Sequence, residues 1–329
     1  MSEKRPVVVL TDYMYESLDP FIKVYERENI EFRAYQCKTA EEIIEVCKDA
    51  DAVQVHFAQI TREVMQALPH VRMIAHSGVG MDNFDVEAAT ELQMPITNVP
   101  DYGIEDVATH AILLTMAVAK KLNKLIDTVK RGVWDYAVSK PVHRIQGQTF
   151  GMVGCGSIAR CAAKKAQALG MKVIAYDPYL KPEQVEPLGI TLKSLDKVAA
   201  ESDFVSLHVL LNKSTAGMIN MDFFKKMKPT AFLINTARGG LVVEKDLIAA
   251  LEQNIIAGAG LDVLCSESIS ADDPLVKMDN VILTPHAAWY SEEAYLTLLT
   301  STAEEVVRGL KGEPLKYPFN KIPYARKPQ

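Results

Sequence analysis

The run Gly151-Met152-Val153-Gly154-Cys155-Gly156-Ser157-Ile158-Ala159 constrains this chain more than any other stretch. A buried-strand candidate starting at Gln148-Thr149-Phe150 leads into it, and an Ala-rich helix former over 160–169 leads out. The spacing Gly154-x-Gly156-x-x-Ala159 is that of a strand–turn–helix holding the pyrophosphate of a dinucleotide. Gly154 permits the tight turn, Gly156 lets the backbone approach a phosphate, and Ala159 is small enough for the helix to pack on the strand. Ser157 and Ile158 open the helix, whose unsatisfied N–H groups and positive dipole end favour an anion. A glycine-rich turn also serves plain strand-to-helix packing, so the pattern needs support from elsewhere. The next strand candidate supplies it: Met171-Lys172-Val173-Ile174-Ala175-Tyr176 ends in Asp177-Pro178. A carboxylate there, about 20 residues past the glycines, can take both ribose hydroxyls and repels a 2′-phosphate, which selects NAD over NADP.

At 329 residues the chain is long for one core and suits two domains. Its net charge of −6 leaves no footprint for nucleic acid or an anionic membrane surface. No apolar stretch is long enough to span a bilayer. Cys37, Cys47, Cys155, Cys161 and Cys265 show neither a Cys-x-x-Cys pair nor zinc spacing, and most read as small apolar residues in a reducing compartment, so the expected location is the cytoplasm. His56, His70, His110, His143 and His208 have no metal-ligand spacing and read as structural residues; no metal is expected. His208 ends a strand candidate and can border the dinucleotide through its backbone.

Strand candidates at 7–10, 31–35, 52–56, 72–76 and 95–99 alternate with helical patterns such as 40–48 and 61–68, a small parallel α/β layer system. Pro100-Asp101-Tyr102-Gly103 breaks the pattern. One long helical stretch, 104–130, follows; it is apolar on more than one face, as expected of a helix buried between domains or subunits. From Phe150 a second series adds five strand candidates, at 173–176, 204–208, 231–235, 257–261 and 281–283. Six strands with the Gly-rich turn after the first match a Rossmann sheet. An amphipathic helix covers 291–309, and the chain beyond Gly312 is rich in Pro and Lys and expected to be irregular.

Ligands of such sheets bind beyond the carboxyl ends of the strands. After Asn235 comes Thr236-Ala237-Arg238-Gly239-Gly240, after Leu261 comes Asp262-Val263 and then Glu267, and after Leu283 comes Thr284-Pro285-His286-Ala287-Ala288-Trp289. A guanidinium, a carboxylate and an imidazole therefore follow three late strands of one sheet. Reduction of a 2-oxo acid uses these three types. A histidine gives the oxyanion its proton and takes it back in reverse. A carboxylate bonded to the imidazole orients it and favours its charged form. An arginine fork grips the substrate carboxylate at two points and polarises the neighbouring carbonyl.

This set, in this order, resembles the D-isomer-specific 2-hydroxyacid dehydrogenase family over nearly the whole chain. The resemblance implies an α/β fold of two Rossmann-like, doubly wound parallel-sheet domains, with a cleft between them that closes on NAD(H). It places a discontinuous substrate-binding domain at 1–101 and 295–329 and an NAD-binding Rossmann domain at 102–294, usually in a homodimer. Arg238, Glu267 and His286 are implied as the catalytic trio. Asp262 is implied to accept from the nicotinamide carboxamide, with Thr236 and Ala237 also on the cofactor. In Ser77-Gly78-Val79-Gly80-Met81-Asp82-Asn83 the backbone amides of Ser77, Gly78, Val79 and Gly80 are implied to hold the substrate carboxylate.

Within the family, Asp177-Pro178-Tyr179-Leu180, the segment 231–242 and His286-Ala287-Ala288-Trp289-Tyr290-Ser291 are similar to the C-terminal-binding protein branch. There the Trp289 position lines the substrate pocket, which favours a 2-oxo acid with an apolar or thioether side chain. His76 stands where a basic residue is common, which weakens binding of a phosphorylated acid. The chain stops about where its closing helix is expected to end, leaving no room for the regulatory domain that many phosphoglycerate dehydrogenases append. Ser268 replaces a proline common after the glutamate. Glu267 itself argues against formate-oxidising relatives, which carry glutamine there, whereas phosphite-oxidising relatives share the trio. The expected activity is NAD-dependent interconversion of a small, unphosphorylated 2-oxo acid (hydroxypyruvate- or glyoxylate-like, or apolar) with its D-2-hydroxy acid. The alternatives are D-3-phosphoglycerate dehydrogenase and, in another class, a dimeric NADH-binding scaffold of the C-terminal-binding protein type.

Overall fold

Short apolar runs bounded by polar turns build two separate parallel sheets. The computed structural model describes residues 5–266 and 268–328. Its contacts divide the chain into two units, Met1–Gly103 with Ser291–Gln329, and Ile104–Tyr290.

The first unit holds β1 (Val7–Leu10), β2 (Glu31–Ala34), β3 (Ala52–Val55), β4 (Ile74–His76) and β5 (Ile96–Thr97), in the order β2-β1-β3-β4-β5. All pairs are parallel. Every residue of β1 and β3 is buried. A strand covered on both faces carries no alternation, which is why these segments read as unbroken apolar runs. One face packs Val7, Val9, Val53 and Val55 against Ile43, Val64 and Met65 from neighbouring helices. The helices Asp19–Arg27 and Glu292–Leu310 pack on each other. The Ser291 hydroxyl accepts from Ala294 N at 3.0 Å and starts the second of them. The irregular tail is tied down by two guanidinium groups. Arg72 donates to the carbonyls of Arg326, Leu310 and Gly309 (2.8, 3.1 and 3.2 Å), and Arg326 to those of Gln93 and Pro69 (2.9 and 3.1 Å).

The second unit holds β6 (Thr149–Val153), β7 (Lys172–Tyr176), β8 (Ile190–Leu192), β9 (Phe204–Leu207), β10 (Phe232–Asn235), β11 (Gly258–Leu261) and β12 (Val281–Leu283). They form one parallel sheet in the order β12-β11-β10-β9-β6-β7-β8. The chain runs from β6 outward to β8, then returns to the other side of β6 with β9, so the winding reverses between β6 and β9. Phe150 and Met152 pack against Ala159, Ala162, Ala163 and Ala166 of the helix Ser157–Ala168. Val153 packs on the other face with Val205, Leu207 and Leu233. Each fully buried side chain of this size contributes roughly 1.5–3 kcal/mol relative to exposure.

Two expectations are corrected here. The sheet has seven strands rather than six. The extra one, β8, is three residues long, buries only Ile190 and Leu192 in part or whole, and follows two 3-10 turns at Pro182–Gln184 and Glu186–Leu188. It is too short to show a period. The stretch 104–130 is two helices, Ile104–Ala119 and Leu122–Lys130, broken where Lys121 takes the left-handed conformation at φ 51°. The first is apolar because Ala111, Leu114 and Val118 pack on Ile234 of β10. The second leaves its apolar stripe Leu122, Ile126, Val129 exposed. None of the described helices is long and apolar enough to cross a membrane.

Candidate active site

The Gly-rich turn leaves β6 at the winding reversal. Gly154 has φ 94°, and a Cβ there would lie 2.8 Å from the carbonyl carbon and oxygen of His208, at the end of β9. No side chain can fit, so turn and strand end lie in direct contact. Gly156 differs: a Cβ built on it meets nothing within 4 Å. It is the N-cap of the helix Ser157–Ala168, with no side-chain cap. Open space thus faces the uncapped N–H groups of a 12-residue helix, whose partial positive charge favours an anion. Asp177, just past β7, accepts from Cys155 N and from Tyr179 N, each at 3.0 Å. Its carboxylate is held beside the turn. The Thr236 hydroxyl, at the end of β10, is buried with no hydrogen-bond partner, and such an orphan normally has a partner outside the protein or in water. Open space at Gly156, the uncapped helix start, the carboxylate of Asp177 and this hydroxyl fit a dinucleotide laid along the carboxyl edge. His208 receives a contact from Ser206 Oγ at 2.9 Å, and burial lowers its pKa to about 4, so its imidazole is neutral.

Three adjacent strands bring the remaining groups to the same edge. Asn235, Leu261 and Leu283 stand side by side in register across β10, β11 and β12. Arg238 and His286 each follow three residues later. Asn235 shapes the first of these turns, donating from Nδ2 to Arg238 O at 2.9 Å and accepting at Oδ1 from Ala237 N at 3.0 Å. Arg238 Nη1 donates to Ala237 O at 2.9 Å, and the side chain is half-buried.

Asp262, one residue past β11, organises the segment that carries His286. Its side chain has 0% exposure. Oδ1 accepts from Thr284 Oγ1 at 2.6 Å and Ala287 N at 2.9 Å, and Oδ2 from Ala288 N at 2.9 Å. Its own carbonyl accepts from His286 N at 2.8 Å. His286 has φ 51°, a left-handed conformation that costs a non-glycine residue roughly 1–2 kcal/mol. The carboxylate holds the loop in that shape. Oδ2, with Ala288 N as its donor from the loop, keeps capacity to accept a further hydrogen bond. Glu267, the expected partner of His286, lies outside the described residues. Trp289 is half-buried and meets Tyr290 edge-on at 5.6 Å.

At the carboxyl edge of the first sheet, the loop of Ser77, Gly78, Val79 and Gly80 follows β4. Gly78 O accepts from Val99 N at 2.9 Å and Val79 O from Asn98 Nδ2 at 2.7 Å, which fixes the loop by its carbonyls. The Ser77 hydroxyl is buried with no hydrogen-bond partner. A network not anticipated from sequence joins this loop to its neighbours. Asp12, just past β1, accepts from the N–H groups of His56, Phe57 and Ala58 (3.2, 2.6 and 3.1 Å). His56 Nδ1 lies 2.9 Å from Tyr15 Oη and 3.0 Å from Ser77 O. Burial raises the Tyr15 pKa well above its usual value, so the phenol stays protonated. The rule that strand ends carry function, applied to β1, would have found Asp12. His110, read as structural, sits with Nε2 2.9 Å from Thr284 Oγ1 and 3.5 Å from Asp262 Oδ1; no local pattern signals a contact spanning 174 residues.

Two parallel α/β sheets, the second bearing a dinucleotide turn at its reversal point, define a class of nucleotide-dependent α/β proteins. Residues 112–288 match the NAD binding domain of D-isomer specific 2-hydroxyacid dehydrogenases. The chain is 40% identical over 275 residues to a glyoxylate reductase of Korarchaeum cryptofilum, covering 82% of this chain and 83% of that one. It is 36% identical over 298 residues to a D-3-phosphoglycerate dehydrogenase of Archaeoglobus fulgidus, covering 90% of this chain and 56% of that one. It thus spans little more than half the length of that relative. The crystal structure of a glyoxylate reductase from Paecilomyes thermophila superposes with a TM-score of 0.87 at 28% identity, covering 96% of this chain and 98% of that one. The chain belongs to the D-isomer-specific 2-hydroxyacid dehydrogenase family, and its second unit is the family's NAD-binding domain.

Proposed function

We propose that this chain is an NAD-dependent dehydrogenase interconverting a small, unphosphorylated 2-oxo acid and its D-2-hydroxy acid. The observation that carries the reading is the register of β10, β11 and β12, which sets Arg238 and His286 past the strands on either side of β11, on the edge that holds the Gly-rich turn. NADH, when bound, supplies a hydride to C2 of the oxo acid. His286 then gives a proton to the substrate oxygen, oriented by Glu267. Arg238 binds the substrate carboxylate and polarises the carbonyl. The amides of Ser77, Gly78, Val79 and Gly80 bind the substrate carboxylate, and Trp289 bounds the substrate's side chain. Gly154, Gly156, Ser157 and Ile158 receive the pyrophosphate, Asp177 the ribose, and Thr236, Ala237 and His208 flank the dinucleotide. Asp262 holds the His286 loop and accepts from the nicotinamide carboxamide through the remaining capacity of its carboxylate.

The segments after β1, β3 and β4 of the first sheet support an unphosphorylated substrate. The segments Thr11-Asp12-Tyr13-Met14-Tyr15, His56-Phe57-Ala58-Gln59 and Ser77-Gly78-Val79-Gly80-Met81-Asp82 contain no Lys or Arg. A phosphate dianion would find no counter-charge there, whereas exposed Met14 and Phe57 suit an apolar substituent. NADH oxidation followed by absorbance against hydroxypyruvate, glyoxylate, pyruvate, 4-methylthio-2-oxobutyrate and 3-phosphohydroxypyruvate tests this. Turnover is expected with the unphosphorylated acids, with NADH preferred over NADPH. A best kcat/KM with the phosphorylated acid would overturn the substrate class, and no turnover with any of them the enzymatic reading.

The same reading includes a homodimer. The stripe Leu122, Ile126, Val129 continues into exposed Val133, Trp134 (90% exposed) and Tyr136 (73% exposed). A contiguous apolar face of this kind marks an interface. The segment that bears it also holds charges of both signs, Lys124, Lys130 and Arg131 with Asp127 and Asp135. A second copy related by a two-fold axis can therefore match it against itself.

A further inference from the structure

His110 lies on the helix Ile104–Ala119, one turn before Leu114 and two before Val118, on the face that packs against β10. That packing carries its imidazole to the loop past β12, where Nε2 is 2.9 Å from Thr284 Oγ1. The direction of the bonds follows from the groups present. Thr284 gives its single hydroxyl proton to Asp262 Oδ1, 2.6 Å away, the oxygen that also accepts from Ala287 N. The Thr284 oxygen can then only accept from His110, so Nε2 is the protonated nitrogen. Its 3.5 Å distance to Asp262 Oδ1 agrees, because a donor near a carboxylate is favourable and a lone pair there is not.

We propose that His110 is a positioning residue: its Nε2–H orders Thr284 and Asp262, and through them the backbone of 286–288 that presents His286. The catalytic part of this claim rests on the proposed dehydrogenase function; the ordering part does not. The chain of contacts is continuous. His110 donates to Thr284, Thr284 to Asp262, and Asp262 accepts from Ala287 N and Ala288 N at 2.9 Å while its carbonyl accepts from His286 N at 2.8 Å. The left-handed φ of His286 makes this support necessary, because a residue in a sparsely populated conformation persists only where its surroundings hold it. Without the donor, the Thr284 hydroxyl is free to rotate off Asp262 and the loop gains alternatives. His110 touches no reacting atom; it acts through Asp262.

Two polar variants separate the donor from the bulk of the ring. Glutamine places its amide nitrogen about where Nε2 stands, and asparagine is too short to reach Thr284. Hydrogen exchange over 284–290, read by mass spectrometry on the full chain, measures the ordering without any substrate. His110→Asn is expected to speed exchange there by roughly tenfold, and His110→Gln to stay near the parent. Thr284→Val is expected to match His110→Asn, with the double variant no worse than either, because all three break one chain of bonds. With the best oxo acid, His110→Asn is expected to lower kcat by roughly 10–100-fold, the scale of a misplaced catalytic group, while KM for NADH holds and His110→Gln recovers most of the rate. Parental exchange in His110→Asn would overturn the proposal, as would equal damage in the asparagine and glutamine variants. If the parent turns over no oxo acid, the dehydrogenase reading fails and the exchange result still decides whether His110 orders the loop.

Discussion

At the scale of single residues, the proposed acid/base, His286, stands at a strained backbone position. The left-handed φ 51° of His286 is held by the bond from its N–H to Asp262 O and by the bonds of Ala287 N and Ala288 N to the Asp262 carboxylate. His286→Gln is expected to keep NADH binding, seen by fluorescence titration, and to lose kcat by about 10²-fold or more, as for a removed acid/base. Arg238→Gln is expected to lower kcat/KM with a large rise in KM for the oxo acid, because the two-point grip on its carboxylate goes. Near-parental turnover in either variant would refute the assignments. His208 carries a separate prediction. Its folded pKa lies at about 4 against 6.5 for the free side chain, because burial penalises the cation. The unfolded chain therefore binds the proton first as pH falls. Stability is whole above pH 6.5 and declines toward pH 4, by at most about 3 kcal/mol from this group. Melting curves across that range should show a shallower decline for His208→Gln than for the parent; parallel declines would remove His208 as a source. The places of Arg238 and His286 past their strand ends were legible in the sequence because each follows an apolar run by a fixed short distance. His110 was not, because its partner is fixed by helix packing and not by spacing.

At the scale of elements, the two glycines of one turn answer different demands. Gly154 is required by the fold, since φ 94° and the carbonyl of His208 at 2.8 Å leave no room for a Cβ. Gly154→Ala is expected to destabilise the chain by roughly 1–3 kcal/mol. Gly156 is extended at φ −75°, ψ −166°, and its missing Cβ faces open space. Gly156→Val is expected to melt within about 0.5 kcal/mol of the parent and to bind NADH at least roughly tenfold more weakly, by blocking the approach of a phosphate. Calorimetry with NADH titration measures both; unchanged affinity in Gly156→Val would remove the turn from the cofactor site. Elements with a clear period or a full apolar run, such as β1, β3 and the helix Ser157–Ala168, were readable. β8 was not, since three residues after two 3-10 turns show neither. The break at Lys121 was also hidden, because lysine is a good helix former and its left-handed φ answers to the packing of the helices on either side.

At the scale of the whole molecule, the exposed apolar face of Leu122, Ile126, Val129 and Trp134 is the one proposed to meet a second copy. Sedimentation at micromolar concentration is expected to show a dimer for the parent and a monomer for Ile126→Glu/Val129→Glu, which buries two charges at the interface core. A monomeric parent would sink this part of the reading. The two parallel sheets, the dinucleotide turn and the strand-end residues were all set by the sequence alone. They rest on local matters: hydrophobic period, glycine at a sterically closed turn, and the rule that parallel strands share one carboxyl edge. Tertiary structure alone decided what meets across long separations. It put His110 on Thr284, Asp12 on the loop after β3, Asp262 on the loop after β12, Arg72 on the tail, and Arg326 of the tail on the carbonyls of Gln93 and Pro69. Those pairings depend on how helices rotate and seat against a sheet, and side-chain fit settles that only once the chain has closed on itself.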